Sequence, residues 1–96
     1  MNGFTTLMEH IPLGEANAKP MEQLASELGV NTRALRHMIS DARFDGCVIA
    51  SGDNGYFQPV TVPELKEYLN RRTHAARFTF ATLKPVRQRL KELEEQ

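Results

Sequence analysis

The sequence predicts a mainly α protein that carries one small β-hairpin and continues into a long carboxy-terminal helix. Three observations predict it. Apolar residues recur at helical spacing in three short runs ahead of Asp45, two of them parted by a lone glycine in "QLASELGVNTRALRHMI", Gln23–Ile39. A Gly-Asp-Asn-Gly turn, Gly52–Gly55, then joins two β-prone runs. Beyond it, apolar residues keep a three-four spacing from Val62 to Leu93. A chain of 96 residues, 41% hydrophobic and 25% charged, suits one small domain with an appended element. The division expected is a globular domain over residues 1–60 and a helical extension over 61–96.

Phe4, Leu7, Met8 and Ile11 stand at i, i+3, i+4 and i+7, the spacing of one buried helix face, and Pro12 with Gly14 ends that run. "GEANAK" has no helical stripe, and its small residues suit a short strand or an ordered link. Pro20 suits the start of a second helix, since its missing N–H would have no partner there. That helix runs to about Leu28 with Met21, Leu24, Ala25 and Leu28 inward. Gly29 supplies the sharp stop and Asn31 the N-cap of a third helix, Thr32–Phe44, which buries Leu35, Met38, Ile39 and Ala42. After Gly46 the pattern switches to "CVIAS" and "YFQPV", a hairpin over 47–58 in which Asn54-Gly55 is the turn signal.

"TVPE", Thr61–Glu64, is a capping box, with Val60 and Leu65 placed as its hydrophobic staple. From there Val62, Leu65, Leu69, Arg72, Ala76, Thr79, Leu83, Val86, Leu90 and Leu93 form an unslipped heptad seam, polar at Arg72 and Thr79. Tyr68, Ala75, Phe78 and Phe80 widen the apolar face, so part of this helix is expected to pack on its own domain. Pro85 removes one helical hydrogen bond, and a kink or break is expected there. The far end of the seam, Leu83, Val86, Leu90 and Leu93, is the expected dimerisation edge of a homodimer.

Charge is balanced overall but not along the chain. Residues 1–65 hold four basic groups against eight acidic ones, and residues 66–91 hold eight basic groups against Glu67 alone. The tail "ELEEQ" is acidic. The single Cys47 excludes an internal disulfide and any multi-cysteine metal site, and reads as a small inert hydrophobe. "MNGFTTLMEHIPLGE" has neither the basic region of a secretion signal nor a long apolar run, so a cytoplasmic protein without membrane contact is expected.

A small inward Ala25, a turn glycine at Gly29 and apolar residues at Leu24, Leu28, Val30, Leu35 and Met38 are the types that two closely crossing helices require at those offsets. With the hairpin arriving directly after the third helix, "QLASELGVNTRALRHMISDARFDGCVIASGDNGYFQP" resembles the amino-terminal winged helix-turn-helix domain of the biotin-operon repressor family. The likeness is carried by "LASELGV", by the helix ending in Asp45-Gly46, and by "GYFQP" at the exit of the wing. The chain is also similar to small winged-helix proteins of phages and prophages in which a helical tail follows the wing. No ligase domain is expected within these 96 residues, so biotin chemistry is not implied.

The resemblance implies double-stranded DNA as partner, with helix 32–44 in the major groove and hairpin 47–58 as the wing. Asn31, Thr32, Arg33, Arg36, His37 and Ser40 are the positions that the apolar stripe leaves outward. Arg33 and Arg36 are the preferred base readers, because a guanidinium grips guanine through two parallel hydrogen bonds. Gly52, Asp53, Asn54 and Gly55 at the wing tip would lie near the DNA backbone, with Asn54 the residue suited to contact it. The net negative charge of residues 1–65 favours the alternative, a winged-helix module that binds protein rather than nucleic acid. No enzyme is expected: His10, His37 and His74 are far apart, Ser26, Ser40 and Ser51 lack an elbow motif, and Gly52–Gly55 is too short for a phosphate loop. No metal or cofactor is expected either.

Overall fold

The computed structural model describes residues 4–96. It is mainly helical, with one small antiparallel hairpin following three helices: α1 (Thr5–His10), a 3-10 turn (Glu15–Asn17), α2 (Met21–Leu28), α3 (Thr32–Phe44), β1 (Ala50–Gly52), β2 (Gly55–Phe57) and α4 (Val62–Glu94). The chain divides into two compact units, the first ending at Leu65 and the second Lys66–Gln96.

The core of the first unit follows from the helical stripes. Leu7 and Ile11 from the α1 region, Leu24 and Ala25 from α2, Leu35, Ile39 and Ala42 from α3, and Ile49 ahead of β1 form one buried cluster. Phe4, Met8, Met21, Leu28, Val30, Met38 and Cys47 pack around it, partly exposed. Burying each large aliphatic side chain contributes about 1.5–3 kcal/mol, which is what holds three short helices that would not persist alone.

Between α2 and α3 the chain reverses at Gly29, whose φ of 70° is left-handed. The Val30 N–H donates to the Ala25 carbonyl at 3.0 Å and the Gly29 N–H to the Ser26 carbonyl at 3.1 Å, the bond pair of a Schellman turn. The next helix starts at once: Asn31 Oδ1 accepts from the Ala34 N–H at 2.7 Å. The same bond pattern closes α3, where the Cys47 N–H reaches the Ala42 carbonyl and the Gly46 N–H that of Arg43.

Pairing in the hairpin runs Ala50 to Phe57, Ser51 to Tyr56 and Gly52 to Gly55, which leaves Asp53 and Asn54 as the turn residues. Positive φ is carried by Gly55, at 117°, and by neither turn residue. The ladder is shorter than the expected 47–58 span: Ile49 is buried, and its carbonyl accepts from Arg43 Nε at 2.9 Å. The segment after α1 is an ordered link that pairs with β2. Lys19 and Tyr56 exchange backbone hydrogen bonds at 3.0 and 2.8 Å. A Cβ on Gly55 would overlap the Lys19 carbonyl, so glycine is obligatory at that crossing.

Two side chains fix the carboxy-terminal end of α1 from a distance. Gln58 Nε2 donates to the carbonyls of Met8 (3.0 Å) and Ile11 (2.8 Å). Lys19 Nζ donates to the His10 carbonyl at 2.7 Å and pairs with Glu27 at 3.1 Å. The His10 and Ile11 carbonyls thereby gain donors, and the Met8 carbonyl, which also accepts from the Ile11 N–H, gains a second.

α4 bears on two expectations. Pro85 lies inside a helix of 33 residues that does not break. The proline removes one donor from a long ladder, and Ala81, whose carbonyl loses that partner, is exposed to water. Second, no residue of α4 is buried, so its wide apolar face is not absorbed into a core. Val60 and Leu65 also stay largely exposed, and the staple buries little.

Candidate nucleic-acid interface

The outward surface of α3 is set by the residues its core stripe leaves out. Leu35, Ile39 and Ala42 turn inward, and Arg33, Arg36, His37 and Ser40, again spaced i, i+3, i+4, i+7, form one exposed stripe. Neither Arg33 nor Arg36 has an ion pair or hydrogen bond to any described residue. Other arginines are engaged: Arg43 with the Ile49 carbonyl, Arg71 with Glu67 at 2.9 Å, Arg89 with Glu92 at 3.2 Å, and Arg87 over the Phe80 ring at 4.6 Å.

The remaining expected residues are placed differently. Asn31 is exposed, with its carbonyl oxygen engaged in capping α3, and Thr32 is half-buried. Asn54 is exposed at the hairpin tip beside Asp53. Arg43, also on this helix, is half-buried and ties α3 to the segment before β1. The outward positive charge of α3 is thus Arg33 and Arg36, with Asp41 exposed nearby.

The same stripe continues past Ser40 to Phe44. Phe44 is 96% exposed. It lies four residues beyond Ser40 and seven beyond His37, so the outward stripe ends in an aromatic ring, a position that helical spacing alone could have found.

A separate anchor sits where the hairpin exit meets α4. Glu64 Oε1 accepts from the N–H groups of Val60 (2.9 Å) and Thr61 (3.1 Å), while Glu64 Oε2 accepts from the Glu15 N–H at 2.6 Å. Thr61 Oγ1 accepts from the Glu64 N–H at 3.3 Å and completes the capping box. The backbone donors, Val60 first and Glu15 next, hold the Glu64 carboxyl below its ordinary 4.5. The capping box was legible in "TVPE"; the reach to Glu15 was not.

On α4, Leu83, Val86, Leu90 and Leu93 are all exposed. Among the described residues, no group of three or more His, Cys, Asp or Glu could hold a metal ion, and no helix is long and apolar enough to cross a membrane. No family model, curated protein or solved structure matches the chain.

Proposed function

We propose that the chain is a sequence-specific double-stranded-DNA-binding protein of the winged helix-turn-helix class, a cytoplasmic transcriptional regulator or phage-type DNA-binding protein. In this reading α3 enters the major groove and the β1–β2 hairpin is the wing. The observation that carries it is the exposed stripe of Arg33, Arg36, His37 and Ser40, with both guanidinium groups unengaged, on the second of two helices joined by a tight glycine turn. Arg33 and Arg36 read base edges, while His37, Ser40, Thr32 and Asn31 contact bases or phosphates. Asn54 contacts the DNA backbone from the wing. No metal, cofactor or bond-breaking step enters this reading.

The test is a binding titration against random and genomic DNA at two salt concentrations, repeated with Arg36→Ala. Loss of about 1–3 kcal/mol at the preferred site, with the circular dichroism spectrum intact, is the expected result. Equal affinity of both proteins for the best-bound sequence removes Arg36 from base reading. A second reading, a protein-binding module, is favoured by Phe44, because an exposed aromatic at the end of the same stripe suits a protein surface better than a phosphate backbone. DNA binding lost in Arg36→Ala and kept in Phe44→Ala favours the first reading, and absence of DNA binding altogether favours the second.

A further inference from the structure

The seam of α4 reads nearly the same in both directions. From the amino-terminal end it is Val62, Leu65, Leu69, Arg72, Ala76, and from the carboxy-terminal end Leu93, Leu90, Val86, Leu83, Thr79. Three aliphatic layers at each end enclose four central positions, and the midpoint falls between Ala76 and Thr79. A shallow hollow on the helix surface is centred on the same midpoint: Arg72, Ala75 and Ala76 line one half, and Thr79, Phe80 and Leu83 the other. Its floor is made of small residues, which lets a second helix approach closely there.

We propose that α4 pairs with α4 of a second copy in antiparallel orientation, the two-fold axis passing between Ala76 and Thr79. This pairing sets Val62 against the partner's Leu93, Leu65 against the partner's Leu90, Leu69 against the partner's Val86, and Arg72 against the partner's Leu83. All ten seam positions are used, and sliding by one heptad in either direction strands aliphatic residues at an end.

Charge decides the orientation. A parallel pair in register would stack Arg72 on the partner's Arg72 in one interior layer and bring the acidic tails, Glu92, Glu94 and Glu95, together at one end. The antiparallel pair parts the two Arg72 groups by about 16 Å along the axis at 1.5 Å per residue, beyond a Debye length of about 10 Å at 0.1 M salt. It also sets each acidic tail beside the partner's α4 amino terminus, the positive end of the helix dipole, and lays the Arg72 stem along the partner's Leu83. Lys66 meets the partner's Arg87 at the rim, where both are exposed and like charges cost little. A helix about 50 Å long that buries a strip about 10 Å wide on each copy removes about 1,000 Å² in total, the size at which interfaces become specific. The proposal stands on α4 alone and does not rest on the DNA-binding reading.

Light scattering of the full chain over a dilution series reads the mass, with a dimer expected and a monomer at every concentration overturning the proposal. Orientation is read by disulfide trapping in full chains carrying Cys47→Ala and either Val62→Cys or Leu93→Cys. Both positions are exposed, at 63% and 51%, so the fold is expected to tolerate them. Under oxidised glutathione, a cross-linked dimer is expected when the two variants are mixed and not from either alone. Cross-linking of Leu93→Cys chains by themselves would show a parallel pair, and no cross-link in any sample would show that the seam is not the interface; either result overturns the register. Leu65→Cys with Leu90→Cys repeats the test one layer inward and decides the matter if an end position frays.

Discussion

At the scale of single residues, the side chains that position the candidate interface are mostly not the ones that would touch a ligand. Glu64 is the clearest example. Its carboxylate receives N–H groups from Val60, Thr61 and Glu15, so one charged group joins the start of α4, the hairpin exit and the 3-10 turn. Its folded pKa is lowered, so the stability it contributes is present above the unfolded value and is lost as pH falls through the folded one. Glu64→Gln is therefore expected to lower the thermal midpoint at neutral pH and to flatten its dependence on pH in the acid range below 4.5, measured by melts across that range. Equal pH dependence in both proteins would assign the acid sensitivity to other carboxylates. Gly55 is as constrained, for a steric reason: the Lys19 carbonyl occupies the space a Cβ would need.

Among the elements, α2, α3 and their turn were legible because each is fixed by local chemistry. The inward stripe of Leu35, Ile39 and Ala42, the left-handed Gly29 and the capping Asn31 act within a few residues of one another, and the predicted bounds of α3 are those observed. The strands were legible in kind but not in length, because Ile49 is claimed by the core and by Arg43, which are tertiary partners. Of the candidate site, the outward polar positions of α3 could be read from spacing, whereas the diversion of Arg43 to a structural bond could not. At Pro85 the expected kink or break is not a break, since α4 continues through it as one helix. Proline in a helix interior costs about 3 kcal/mol relative to alanine, so Pro85→Ala is expected to raise the midpoint of the α4 transition with little change in helical ellipticity before melting. A large gain in ellipticity would mean that the helix is broken at Pro85 in solution.

For the whole molecule, the two units differ in how they are held. Among the described residues, every buried apolar one lies between Leu7 and Phe57, while α4 buries none. A chain ending at Leu65, which keeps Glu64 and its three backbone partners, is expected to fold and unfold cooperatively on its own, as a small domain of modest stability. A spectrum of an unfolded chain for that truncation would show that Lys66–Gln96 supports the core. The ties between the amino-terminal segment and the hairpin carry a consequence for the order of synthesis. Gln58 completes the end of α1 from 50 residues away, and at 5–20 residues per second a ribosome needs about 3–10 s to supply it. Until Gln58 has been made and has emerged, the Met8 and Ile11 carbonyls lack this donor, whereas α2 and α3 carry their turn and caps within a few residues of themselves. The end of α1 is thus finished by a residue made long after it, and its apolar face is what a chaperone acting on the nascent chain would meet.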